Sequence, residues 1–164
     1  MTHSDDIVLL DLYRMKKDYV KAYRLSYKLY ENTGDIEHLG HGAIFEYEAH
    51  SDDKKVIYGV IDKLKKVVKQ KKSPLFLNFL GYIMIDHEID IVQGMEFVQK
   101  ALDIKPESVY YLDSLAWGYY KLHQCQKAKE IMDRLEQRQD GKIPEVLEHI
   151  KQIDKCLTTS TKGK

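Results

Sequence analysis

Ser73-Pro74-Leu75-Phe76-Leu77-Asn78-Phe79-Leu80-Gly81-Tyr82 opens the stretch that decides the fold, which runs on to about Asp140. Its first phrase, Leu77 to Tyr82, is followed by Gly94, Val98, Ala101 and Pro106. A second phrase, Leu112-Asp113-Ser114-Leu115-Ala116-Trp117-Gly118-Tyr119, is followed by Ala128, Met132 and Leu135. Laid together, Gly81 falls on Ala116 at an offset of about 35 residues. In both, a Leu and then a Leu beside a tiny residue precede a longer apolar run and a second small residue. A recurrence at that period marks a chain of like supersecondary units, each stacked on the next.

Working outward from this pair, Ser73-Pro74 is a helix start, with serine at the N-cap and proline at the first helical position. The helix it opens is expected to reach about Met84, and Asp86-His87-Glu88-Ile89-Asp90 forms the turn to a partner helix ending near Leu102. Lys105-Pro106-Glu107-Ser108 closes that pair and caps the next, whose second helix carries Cys125, Ala128, Ile131, Met132 and Leu135. Upstream, Ile7, Leu9, Leu10 and Tyr13 give one apolar face, and Lys16-Lys17-Asp18 breaks it. A second face with Tyr19, Ala22, Tyr23, Ser26, Leu29 and Tyr30 follows and stops at Asn32-Thr33-Gly34. Asp35 caps a helix centred on Gly40, Gly42 and Ala43, after which Val56, Ile57, Val60, Ile61, Leu64, Val67 and Val68 form a stripe of helical period. A last amphipathic helix starts at Pro144, with Val146, Leu147, Ile150, Ile153 and Leu157 apolar. The polar residues 159–164 are expected to be a disordered tail.

The order Leu, Leu-Gly, Tyr, then Ala and a closing Pro resembles the tetratricopeptide repeat (TPR) pattern, W-x2-L-G-x2-Y…A-x3-F…P with a period near ~34 residues. The resemblance is good over residues 74–140, plausible over 3–34 and weak over 36–72. Leu77 stands at the Trp position, Ala116 at a Gly position, and the fourth repeat lacks its closing proline. The resemblance implies an all-α, right-handed solenoid of about four antiparallel helix pairs. Its repeats would lie near 3–35, 36–73, 74–108 and 109–142 in one domain spanning 1–158, with a capping helix over 144–158. It also implies that the first helices of the pairs line a concave groove for an extended or helical peptide. Carried over by position, that face holds Leu75, Asn78, Tyr82, Ile85 and Asp86 from one repeat, and Tyr110, Asp113, Trp117, Tyr120 and Lys121 from the next. Asn78, Tyr82, Ile85, Asp113, Trp117, Tyr120 and Lys121 are thus the candidate partner-binding residues. The aromatics have a second reading, in which Trp117 packs under the final helix or between stacked helices and Tyr82 and Tyr120 pack likewise. Asn78 and Asp113 discriminate better, since a polar residue in an apolar helix needs water or a partner.

Composition narrows the function further. Among 164 residues, Lys+Arg and Asp+Glu are equal at 26 each, so no overall field draws the chain to nucleic acid or an acidic membrane. The acidic start Ser4-Asp5-Asp6 lacks the basic region of a secretory signal, and no apolar run spans a bilayer, so a soluble, cytoplasmic chain is the default expectation. Cys125 and Cys156 are too dispersed for a zinc site or a disulfide framework, and are expected as ordinary reduced thiols, with a contact or disulfide between adjacent helices as the alternative. His38 and His41 are expected as ordinary surface or cap histidines, not metal ligands, and the Asp86-His87-Glu88 run as a polar turn. Neither a glycine-rich phosphate loop nor a G-x-S-x-G elbow occurs, so no catalytic residue, metal or cofactor is indicated. The expected function is a non-catalytic scaffold or adaptor with a protein or peptide partner. Two alternatives are a nucleic-acid-binding repeat using the cluster Lys63, Lys65, Lys66, Lys69, Lys71 and Lys72, and a homodimerising module.

Overall fold

The computed structural model describes residues 3–160, all of whose regular elements are helical. In chain order they are α1 (His3–Met15), α2 (Tyr19–Thr33), α3 (Ile36–Ala49), α4 (Lys54–Gln70), α5 (Pro74–Asp86), α6 (Ile91–Ile104), α7 (Val109–Lys121), α8 (Cys125–Glu136) and α9 (Pro144–Ser160), with a short 3-10 turn at Gln139–Gly141. The expected all-α architecture of successive helix pairs is present. The helices follow one another as α1/α2, α3/α4, α5/α6 and α7/α8, with α9 last. α9 runs two residues past the expected limit, to Ser160; residues 161–164 of the expected tail lie outside the described residues. The chain divides into two compact units, Met1–Phe76 and Leu77–Lys164.

Local signals place the helix ends. Asp18, Asp35, Asp53 and Asp90 each accept a hydrogen bond from a backbone N–H in the first turn of the helix that follows, satisfying donors that otherwise lack partners. Gly34 ends α2 with φ +70°, the left-handed conformation that glycine adopts without a Cβ penalty. Lys17, Glu88 and His123 also have positive φ, and each sits in the turn inside a helix pair.

The first unit buries Ala22, Leu25 and Leu29 of α2 with Leu39 and Ala43 of α3 and Val60, Leu64 and Val67 of α4. The two glycines in the middle of α3 serve aromatic packing. A Cβ on Gly40 would lie 2.6 Å from the Phe76 ring, and one on Gly42 would strike the Tyr27 ring. Each glycine costs about 1 kcal/mol of helix propensity, and the ring packed in its place, buried for Phe76 and half-buried for Tyr27, offsets that cost. His41 lies edge-on to Phe76, with centroids 5.2 Å apart, and burial pushes its pKa below the ordinary 6.5. No helix among the described residues is long and apolar enough to cross a membrane.

In the second unit, α5 and α6 cross at Gly81 and Gly94, where a Cβ on either would meet the carbonyl oxygen of the other. Gly118 of α7 makes room for Met95 of α6. Leu80, Ile83, Ile85, Val98, Ala101, Ala116, Ala128, Met132 and Leu135 are fully buried around these contacts. α9 adds Val146, Ile150 and Ile153 to this core and closes it at the C-terminal end.

Candidate functional site

Spacing on α7 puts Asp113, Trp117, Tyr120 and Lys121 at i, i+4, i+7 and i+8, on one helix face. On α5 the same rule groups Asn78, Tyr82 and Asp86. Trp117 is the centre. Only 5% of it is exposed, although an indole of that size is rarely fully covered. Its ring stacks on Tyr120 at 4.6 Å and on His149 of α9 at 4.0 Å. Its Nε1 donates to Asp86 Oδ1 at 2.9 Å, which satisfies the indole's single donor. Lys121 Nζ lies 5.4 Å from the Trp117 ring centroid and donates to the Asp86 carbonyl (3.1 Å) and to Glu88 (2.9 Å). That ammonium, hydrogen-bonding to Glu88, holds the Glu88 carboxyl below its usual range. The expected polar turn is therefore also an anchor: Asp86 fixes the indole and Glu88 the lysine.

α9 supplies the rest of the site. His149 Nδ1 donates to both oxygens of Asp113, at 2.9 and 3.0 Å, and the two side chains are 6% and 5% exposed. Glu145 accepts from Tyr82 Oη at 3.0 Å. Lys129 of α8 bridges Asp133 and Asp154 at 2.8 Å each, and both contacts push the ammonium's pKa up. A cleft of about 720 Å³ opens beside this seam, lined by Tyr120, Lys121, His123, Gln152, Lys155 and Cys156.

Five of the seven candidate residues thus gather around α9 or the anchoring turn: Tyr82, Asp113, Trp117, Tyr120 and Lys121. Two others differ. Ile85 is fully buried, close to the backbone of Gly94 and Gly118, in the packing of α5 on its neighbours. Asn78 is buried, and its Oδ1 has no protein hydrogen-bond partner among the described residues. Of the wider face, Leu75 and Tyr110 are exposed, at 42% and 60%. The second reading of Trp117, packing under the final helix, describes its surroundings.

The expectation of two reduced thiols is corrected. Cys125, the first residue of α8, and Cys156, near the end of α9, form a disulfide with Cα atoms 6.1 Å apart. Their separation of 31 residues hides the pairing in sequence, because only the return of α9 along α8 brings them together. His149 and Glu145 were also missed. His149 sits among the apolar positions Val146, Ile150 and Ile153, and a lone polar residue on that stripe was the available signal. The lysine cluster is partly engaged: Lys63 pairs with Glu46, Lys66 donates to Tyr30, and Lys71 pairs with Glu37. Among the described residues, no group of histidine, cysteine and carboxylate side chains could hold a metal ion.

Two crystal structures of MamA, a TPR-like helical repeat protein, share this arrangement of helices. The fold is TPR-like. One MamA structure superposes with a TM-score of 0.61 at 19% identity, over 93% of this chain and 96% of that one. The other gives 0.62 at 18% identity, over 98% and 94%. No protein-family model matches the chain, and no curated protein sequence matches it.

Proposed function

We propose that this chain is a non-catalytic protein-interaction scaffold, and that the face of α5 and α7 bearing Tyr82, Asp113 and Trp117 binds an amphipathic helical segment of a partner protein. The observation that supports it is the way α9 is held there. Trp117 stacks on His149, Asp113 accepts from it, and Tyr82 donates to Glu145, so the face engages a helix through a directional set of contacts. An aromatic anchor beside a desolvated polar pair is the composition of an interaction hot spot. Ile150 and Ile153 show the apolar side such a helix would present. With α9 seated on it, the face is not an open groove for an extended peptide. A partner helix would take α9's place, matching Glu145 and His149 with an acidic residue and a histidine four positions on.

A synthetic labelled peptide of residues 144–160, carrying Cys156→Ser, serves as the probe. The receptor is the full chain with His149→Ala and Cys156→Ser, which loosens its own α9 and leaves α5 and α7 unchanged. Adding Trp117→Ala to the receptor should weaken peptide binding about 30-fold, the equivalent of about 2 kcal/mol. Unchanged affinity, with helicity retained, would remove this face from the function.

A further inference from the structure

We propose that the Cys125–Cys156 disulfide is a reversible clasp that gates this face, so that reduction by a dithiol frees α9 to exchange with a partner helix. The inference rests on the function proposed above. Its first support is position. Along α9 the attachments run from Glu145 on Tyr82, through His149 on Asp113 and Asp154 on Lys129, to Cys156 on Cys125. All but the last are non-covalent, and the last lies at the end remote from the connection to α8. Opened there, α9 stays tethered through residues 142–143 and can swing from its N-terminal end.

The second support is what lies beneath the clasp. A helix meant as permanent core would bury apolar residues throughout, because a buried polar pair recovers little more than its desolvation cost. α9 buries Val146, Ile150 and Ile153, but it interrupts that stripe with His149 against Asp113 beside Trp117. The polar pair makes the seam specific and adds little net stability, so the covalent link contributes holding strength at the far end of α9.

Access is the third. Cys125 is buried, whereas Cys156 is half-exposed and lines the 720 Å³ cleft, so a reductant can reach its sulfur. A dithiol's thiolate attacks Cys156 Sγ and the disulfide bond breaks. A mixed disulfide forms, and Cys125 leaves as a thiolate that then takes a proton. That departing charge develops at the first residue of α8, where the helix dipole favours it. The reductant's second sulfur, as the thiolate, attacks its own sulfur in the mixed disulfide and expels Cys156, which takes a proton. Two cysteine thiols and one oxidised cyclic disulfide result, two electrons and two protons having passed to the chain.

The test uses the wild-type full chain, oxidised and dithiol-reduced, titrated with the labelled 144–160 peptide carrying Cys156→Ser, with amide hydrogen exchange of residues 145–156 followed in parallel. The reduced chain should bind at least tenfold more tightly and its α9 amides should exchange at least tenfold faster. The Cys125→Ser, Cys156→Ser chain should match the reduced chain without reductant. Equal affinity and equal α9 exchange in both redox states would overturn the clasp while leaving the helix-binding face intact. Loss of protection in α5 to α8 on reduction would also overturn it, making the disulfide a staple of the whole unit. Binding to neither the reduced chain nor the serine variant would defeat the helix-binding face itself, and the clasp with it.

Discussion

Replacing Gly81 by alanine tests the crossing of α5 and α6 in the second unit, because the structure there leaves no space for a methyl group. The new Cβ would fall within the shell of the Gly94 carbonyl oxygen, 2.7 Å from Val98 Cγ2 and 3.1 Å from Val98 N. Two of these three neighbours are backbone atoms, so no rotamer change relieves the contact and α5 and α6 must separate. Overpacking of this kind costs about 1–3 kcal/mol, and a backbone clash belongs at the upper end. Alanine returns about 1 kcal/mol of helix propensity, which leaves a net loss of ~2 kcal/mol. Gly59→Ala is the control: the nearest atom to its Cβ is the flexible Lys63 Nζ at 3.8 Å, so only the propensity gain remains. The two alanines should therefore differ by ~3 kcal/mol in opposite directions from wild type. Urea unfolding monitored by far-UV circular dichroism measures both. Trp117, the chain's one tryptophan, reports on the unit that contains Gly81. A Gly81→Ala chain as stable as wild type would mean that α5 and α6 do not meet backbone to backbone.

His123→Gly should stabilise the second unit by up to about 1 kcal/mol in the same assay, since His123 holds φ +59°, a left-handed conformation costly to any residue with a Cβ. Glu88→Gly, at φ +53°, should gain less because it forfeits the Lys121 pair. His41 has its pKa lowered by burial, so the unfolded chain takes up a proton more readily than the folded one. Stability of the first unit should therefore fall as pH drops below 6.5, and His41→Phe should flatten that slope in urea midpoints taken from pH 7.5 to 5. Asp113→Ala should leave His149 buried without its acceptor and cost about 1–3 kcal/mol, with α9 exchanging faster while α5 and α6 keep their protection.

The architecture was legible because its signals are local and repeated. Asp35, Asp90 and Gly34 mark helix ends by their own backbone chemistry, and the Gly81-to-Ala116 period fixes which helices pair. Gly40 and Gly42 were legible as sites of close approach, but that the approaching groups are the rings of Phe76 and Tyr27 depends on tertiary placement. The candidate face was legible in part. Helical spacing groups Asp113, Trp117 and Lys121 on α7 by arithmetic alone. That the final helix covers Trp117 was open as one of two readings, but not which residues do so, because α9 returns to that face through packing that no local pattern encodes. The same return pairs Cys125 with Cys156 and gives Asp113 its histidine. Ile85 shares the register of the face-lining residues yet is buried against glycine backbone, since Gly94 and Gly118 leave a space that its side chain fills.

The most direct test of the proposed scaffold is amide hydrogen exchange across residues 145–156 of the reduced full chain, with and without saturating 144–160 peptide carrying Cys156→Ser. If the face of α5 and α7 receives a partner helix in place of α9, exchange in 145–156 should accelerate as peptide is added while α7 keeps its protection. Peptide that binds while α9 exchange stays unchanged would place the partner elsewhere and contradict the account.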